Sequence, residues 1–191
     1  QITAEIAALE EAGDTVSIKE RRQALLKIKV EEFQERGQRY PTDRTIKYTL
    51  GELAFAQNDL GLAMECFQKS KDEPKYRVRA GHMLGKSFAA EGWHSDAVAE
   101  YRETLAALDA TESGRELEIR YDLMCSLIAQ AADEQSVDLA RDAMEICSMI
   151  SRKERIVSLS EQNWPAVPVN CSATKKGWES IRWIRRARAT T

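Results

Sequence analysis

Two histidines and four cysteines are the side chains best suited to hold a metal or carry a nucleophilic step. His82 and His94 lie 12 residues apart, and Cys66, Cys125, Cys147 and Cys171 are separated by 59, 22 and 24 residues. Zinc sites are usually built from ligand pairs about two to five residues apart. No such pair occurs here, and no carboxylate completes a convincing metal set. There is also no nucleophile elbow, glycine-rich phosphate loop or paired-carboxylate motif. These residues give no grounds for an enzyme, a metal or a cofactor. The cysteines read as reduced, packed thiols, which suits a reducing compartment and a cytoplasmic location.

Bulk composition says which elements must carry any function. The 191 residues are 43% apolar and 31% charged, which is enough to fold one ordinary domain. Four prolines and nine glycines leave room for long helices. The net charge of −3 is unevenly spread. From Ser151 onward there are nine Lys/Arg against three Asp/Glu, whereas residues 1–150 carry 19 basic and 28 acidic groups. An acidic body with a basic tail is an asymmetry that bears on partners. No apolar run approaches the roughly 18–20 residues that span a bilayer, and no leader peptide is visible. A first residue of Gln1 in place of Met reads as a processed chain or a fragment.

The organising signal is a period of 34 residues. Leu50-Gly51 recurs as Leu84-Gly85, Ala63 as Ala97, Phe67 as Tyr101 and Ser70 as Thr104. One step back from Phe67 stands Phe33. Small and aromatic residues in constant phase predict stacked helix pairs. Helices are expected over Gln1–Ala12, over Ser17–Gln38, with Ser17 and Glu20 as a capping box, and over Arg44–Gln57, Leu60–Lys71, Tyr76–Glu91 and Ser95–Leu108. Asn58-Asp59 and Gly92 make the turns, with Asp59, and Ser95 or Asp96, as caps. Trp93 is expected either to pack over a hairpin end or to serve as a binding anchor. A third pair is expected over Leu117–Ala131 and Val137–Ile150. There Cys125 takes the glycine position, Ala140 the small one, Met144 the aromatic slot and Cys147 the small residue after it. This alignment needs about six inserted residues near Asp109–Glu116 and three in the turn near Asp133–Ser136.

These repeats resemble the tetratricopeptide repeat (TPR) family. The elements that carry the resemblance are Leu50-Gly51 with Ala54, Leu84-Gly85 with Phe88, Ala63 with Phe67, and Ala97 with Tyr101. The resemblance is specific over Arg44–Asp109, degenerate over Ala110–Ile150 and partial over Ser17–Asp43. It departs from the family early in the first helices, where Lys47 and Gly81 replace a large aromatic that Tyr121 restores. The implied fold is all-α: a right-handed superhelical solenoid of antiparallel helix hairpins with an irregular basic C-terminal tail. The implied domains are a partial or degenerate repeat over 1–43, hairpins over 44–77, 78–111 and 112–150, and a tail over 151–191 containing a basic helix over 175–189.

The resemblance implies a non-catalytic scaffold whose concave groove binds a protein or peptide segment, within a larger complex or a homo-oligomer. Phased by repeat, the groove-facing candidates are Tyr48, Glu52, Phe55, Arg79, His82, Lys86 and Asp122. Some members of the family grip a C-terminal carboxylate with Lys, Asn and Arg on these faces. Glu52 stands where such a clamp needs an uncharged or basic donor, so a clamp is not expected. The alternative is nucleic-acid or acidic-surface binding through Lys175, Lys176, Arg182, Arg185, Arg186 and Arg188, with Trp178 and Trp183 interleaved. The same tail could instead cap the last hairpin, or be disordered and non-native.

Overall fold

The structure, a computed structural model, describes residues 15–108 and 113–158. The described residues are all-α: seven helices and no strand. They are α1 (Thr15–Arg39), α2 (Arg44–Ala56), α3 (Leu60–Ser70), α4 (Arg77–Glu91), α5 (His94–Ala106), α6 (Ser113–Glu134) and α7 (Val137–Ser158). The helix expected over Gln1–Ala12 and the basic helix expected over 175–189 lie outside the described residues. The chain divides into two compact units, Gln1–Ser87 and Phe88–Thr191. In the first, α2 packs on α1 and on α3; in the second, α6 packs on α5 and on α7.

Side-chain caps start several of these helices. The Asp43 carboxylate accepts from the backbone N–H of Thr45 at 2.8 Å and of Ile46 at 3.3 Å, which opens α2. The Asp59 carboxylate accepts from Leu62 N–H at 3.1 Å and opens α3. Each cap satisfies a donor that the first helical turn leaves without a partner. Two expected caps are not used. Helix α1 runs from Thr15, so Ser17 lies inside it and not at the cap position. Helix α5 begins at His94 after Trp93, whose side chain makes no cap bond, so Ser95 and Asp96 fall inside the first turn.

Three short turns are built alike. Asn58, Gly92 and Gln135 have φ of 64°, 84° and 52°. The next N–H reaches back five residues in each case: Asp59 to the Ala54 carbonyl at 2.9 Å, Trp93 to Phe88 at 2.9 Å and Ser136 to Ala131 at 3.1 Å. A left-handed residue followed by this long backward bond is the Schellman helix ending. The residue that donates it also stands immediately before the next helix. Asp59 caps α3, and the Ser136 hydroxyl accepts from Leu139 N–H at 3.4 Å in α7. Trp93 instead stacks on Phe88 at 6.0 Å, the apolar contact that often accompanies this ending.

The turns correct the expected alignment of the third hairpin. Only Gln135 and Ser136 separate α6 from α7, as only Gly92 and Trp93 separate α4 from α5. No residues are inserted there; the extra length lies ahead of the turn, where α6 has 22 residues against 15 in α4. Aligned on the turns, Leu127 is the counterpart of Leu50 and Leu84, and Ile128, not Cys125, that of Gly51 and Gly85. Leu50, Leu84 and Leu127 are all buried, as are Ala63, Ala97 and Ala140. The same shift replaces Tyr121 by Met124 as the counterpart of Lys47 and Gly81. It also makes buried Ile119 the counterpart of buried Tyr76.

Phe67 and Tyr101 are buried, but Met144, the third member of their series, is 37% exposed. Met144 therefore does not fill an aromatic slot. The buried stripe of α7 runs through Ala140, Ala143, Ile146 and Ile150, and the helix continues to Ser158, past the expected end of the hairpin.

Helices α1, α2 and α3 share one core cluster of Val30, Leu50 and Cys66, with Phe33, Leu53 and Leu62 packed against it. One close approach tightens this unit. A Cβ on Gly51 would stand 2.8 Å from Cε1 of Phe67. The hydroxyl of buried Ser70 donates to the Cys66 carbonyl at 2.8 Å, and Thr104 donates to Glu100 at 2.8 Å. Both satisfy a buried polar atom within the helix's own preceding turn.

Candidate protein-binding face

The side chains expected to face a groove sit on α2, α4 and α6. In the first unit they converge on an aromatic stack. The Tyr48 ring lies 4.8 Å from that of Tyr76, nearly parallel at 16°, and tilts against Phe67 at 5.9 Å. The Tyr76 hydroxyl donates to Oγ1 of Thr45 at 3.2 Å, tying the entry of α4 to the first turn of α2. Each ring of the stack carries a cation: the Arg79 guanidinium carbon lies 5.4 Å from the Tyr48 centroid, and Nζ of Lys75 lies 5.3 Å from that of Tyr76. Attraction of a cation to a ring face is worth about 0.5–1 kcal/mol at exposed sites, enough to favour one position for a long side chain.

Burial sorts the candidates. Tyr48 is 5% exposed and His82 is 8% exposed, so both belong to the core and offer a partner little surface. Tyr48 is expected to face the groove; its ring is instead packed between Phe67, Tyr76 and Arg79. Glu52 and Arg79 are exposed, and Phe55 and Lys86 are half-buried. Asp122 is half-buried on α6 in the second unit, where its charge, after burial itself, helps push the Tyr101 hydroxyl far above the usual tyrosine range. The tail candidates Lys175, Lys176, Arg182, Arg185, Arg186 and Arg188 lie outside the described residues.

No protein-family model matches this chain, and no curated protein matches it.

Among the described residues, no group of three or more His, Cys, Asp and Glu is placed to hold a metal ion. His94 opens α5, and its Nδ1 is buried with no hydrogen-bond partner among the described residues. Among the described residues, Cys66, Cys125 and Cys147 form no disulfide. Burial is the main cause that pushes the Cys66 thiol above its ordinary pKa, which keeps it protonated and a poor nucleophile. Among the described residues, no helix is long and apolar enough to cross a membrane.

Sequence reasoning missed Lys75 and Tyr76. Lys75 and Tyr76 precede the first turn of α4, and neither is among the expected groove residues. One signal was available. Lys75, Arg79, His82 and Lys86 recur at steps of four, three and four, the spacing of a single helical face.

Proposed function

We propose that this chain is a non-catalytic, tetratricopeptide-like scaffold that binds a protein segment along the face formed by α2 and the first turns of α4. The right-handed solenoid implied by the resemblance is part of this reading. Support for the repeat comes from the buried leucine, alanine and aromatic positions in constant phase and from the matching turns. The observation that carries the binding role is the basic stripe on α4. From Lys75 to Ser87 the chain has four Lys/Arg and no carboxylate. Lys75, Arg79 and Lys86 form no ion pair with any described residue, although Arg36, Arg39, Arg44, Lys69, Arg102, Arg120 and Arg141 all do. Cations left without carboxylates on a face held by packed rings suit a partner that brings its own negative charge. Exposed Glu52 on α2 adds the opposite sign and penalises a uniformly anionic ligand.

The test is a pull-down from source lysate with the full chain and with its R79E/K86E variant. Loss of a retained protein in the variant supports the reading. Retention unchanged by R79E/K86E, but abolished by reversing Lys175, Lys176, Arg182, Arg185, Arg186 and Arg188, assigns binding to the tail and overturns it.

A further inference from the structure

We infer that the tail segment Lys175–Ala189 of the same chain lies along α7 and covers its exposed stripe of Val137 and Met144. The inference stands apart from the docking face on α4.

The repeat shows where a cover belongs. Aligned on the turns, Val137 of α7 is the counterpart of Leu60 in α3, and Met144 that of Phe67 in α3 and Tyr101 in α5. Leu60, Phe67 and Tyr101 are buried, whereas Val137 is 45% and Met144 37% exposed. One turn on, Thr104 of α5 is buried and its counterpart Cys147 only half-buried. At this stripe α5 is closed by α6, the next helix in the chain. Helix α6 packs on α5, and its Asp122 and Cys125 act on the Tyr101 hydroxyl. Among the described residues no helix follows α7 to do the same. An array of stacked hairpins needs the apolar face of its last repeat covered.

The segment that comes next in the chain has the means to do so. Met144 lies fourteen residues before the end of α7, or about 21 Å of helix. Residues 159–174 link α7 to Lys175, and sixteen extended residues reach up to about 53 Å, ample for a return. Pro165 and Pro168 in this link oppose a straight continuation of α7. In Lys175–Ala189, Trp178, Ile181 and Ile184 recur at steps of three, which sets them on one side of a helix. Helix α7 itself carries four Asp/Glu and four Lys/Arg, so apolar contact and not charge seats the segment on Met144. Neighbouring α6 has five Asp/Glu against two Lys/Arg, a sign that suits the six cations and single Glu179 of the segment. A tethered segment meets its site at an effective concentration on the order of millimolar, which favours it over a separate molecule of equal fit.

Hydrogen exchange of the full chain, read by mass spectrometry, tests this. Amides of residues 175–189 should exchange at least about tenfold more slowly than in the free peptide of residues 170–191. Met144→Lys should bring them to the rate of the peptide while the amides of α6 keep theirs, which separates undocking from unfolding. Met144→Leu should retain the protection. Tail amides that exchange at the peptide's rate in the wild type, or protection that Met144→Lys leaves unchanged, overturn the inference. Protection that disappears on diluting the wild type assigns the cover to a second copy and overturns it as well.

Discussion

The Phe67 ring occupies the space that a side chain on Gly51 would need. A Cβ there would meet Cε1 at 2.8 Å, Cδ1 at 2.9 Å and Cζ at 3.1 Å, and the ring is fully buried. A mid-helix glycine costs about 1 kcal/mol relative to alanine; here the cost is offset by the approach of α3. Where Ile128 stands in the corresponding position of α6, the residue in the aromatic phase, Met144, is exposed.

Gly51→Ala should therefore destabilise the chain by about 1–3 kcal/mol despite the better helix propensity of alanine. Adding Phe67→Leu to it should cost less than the sum of the two single changes, because the smaller side chain relieves the contact. Denaturant unfolding of the four chains of this double-mutant cycle measures the coupling. Additive effects would show that the ring is not what requires the glycine.

Gln135 occupies a left-handed conformation, with φ of 52°, at the position where the preceding turn has Gly92. A side chain there is strained, and glycine is not. Gln135→Gly should raise stability by about 1 kcal/mol, and Gly92→Ala should lower it by a similar amount. Thermal melts of both variants beside the wild type give the sign at each turn.

Tyr101 carries a pH dependence. Burial, helped by the charges of Asp122 and Cys125, raises its pKa in the folded chain. An unfolded tyrosine ionises near pH ~10. Unfolding above that pH thus releases a proton that the folded state retains. The stability this provides is full below pH ~10 and is lost as pH rises beyond it. Unfolding free energies at neutral and strongly alkaline pH should fall more steeply for the wild type than for Tyr101→Phe. Parallel slopes would remove Tyr101 from the account.

The thiols should divide by burial. Cys66 lies in the core cluster of α1, α2 and α3, whereas Cys125 and Cys147 are half-buried. A maleimide pulse on the native chain, read peptide by peptide in a mass spectrometer, should label Cys125 and Cys147 ahead of Cys66. Full labelling of Cys66 should need denaturant. Equal labelling of all three in the native chain would mean that the α1–α3 core opens readily.

Much of the helical order was legible in the sequence. Leu50, Ala63 and Phe67 repeat in phase because one packing arrangement recurs, and Asp59 signals both a turn and a cap. The third hairpin was misread for a physical reason. Length added inside α6 and length added in its turn give the same spacing in sequence, and only the left-handed Gln135 with its backward bond distinguishes them. The candidate face was legible in part. Helical phase identified Arg79 and Lys86, but it could not show that Tyr48 is enclosed by Tyr76 and Phe67, because that depends on how α4 enters against α2 and α3.

Asp59 and Ser136 each finish one helix and begin the next, so these joints contain no spare residue. One added residue would turn the following helix by about 100° and carry its apolar stripe off the core. A gene encoding this chain can therefore gain or lose codons at low cost only at the looser joints, such as Tyr40–Asp43 and Lys71–Tyr76. Those joints are where domain shuffling, tag insertion or circular permutation of this fold should be attempted.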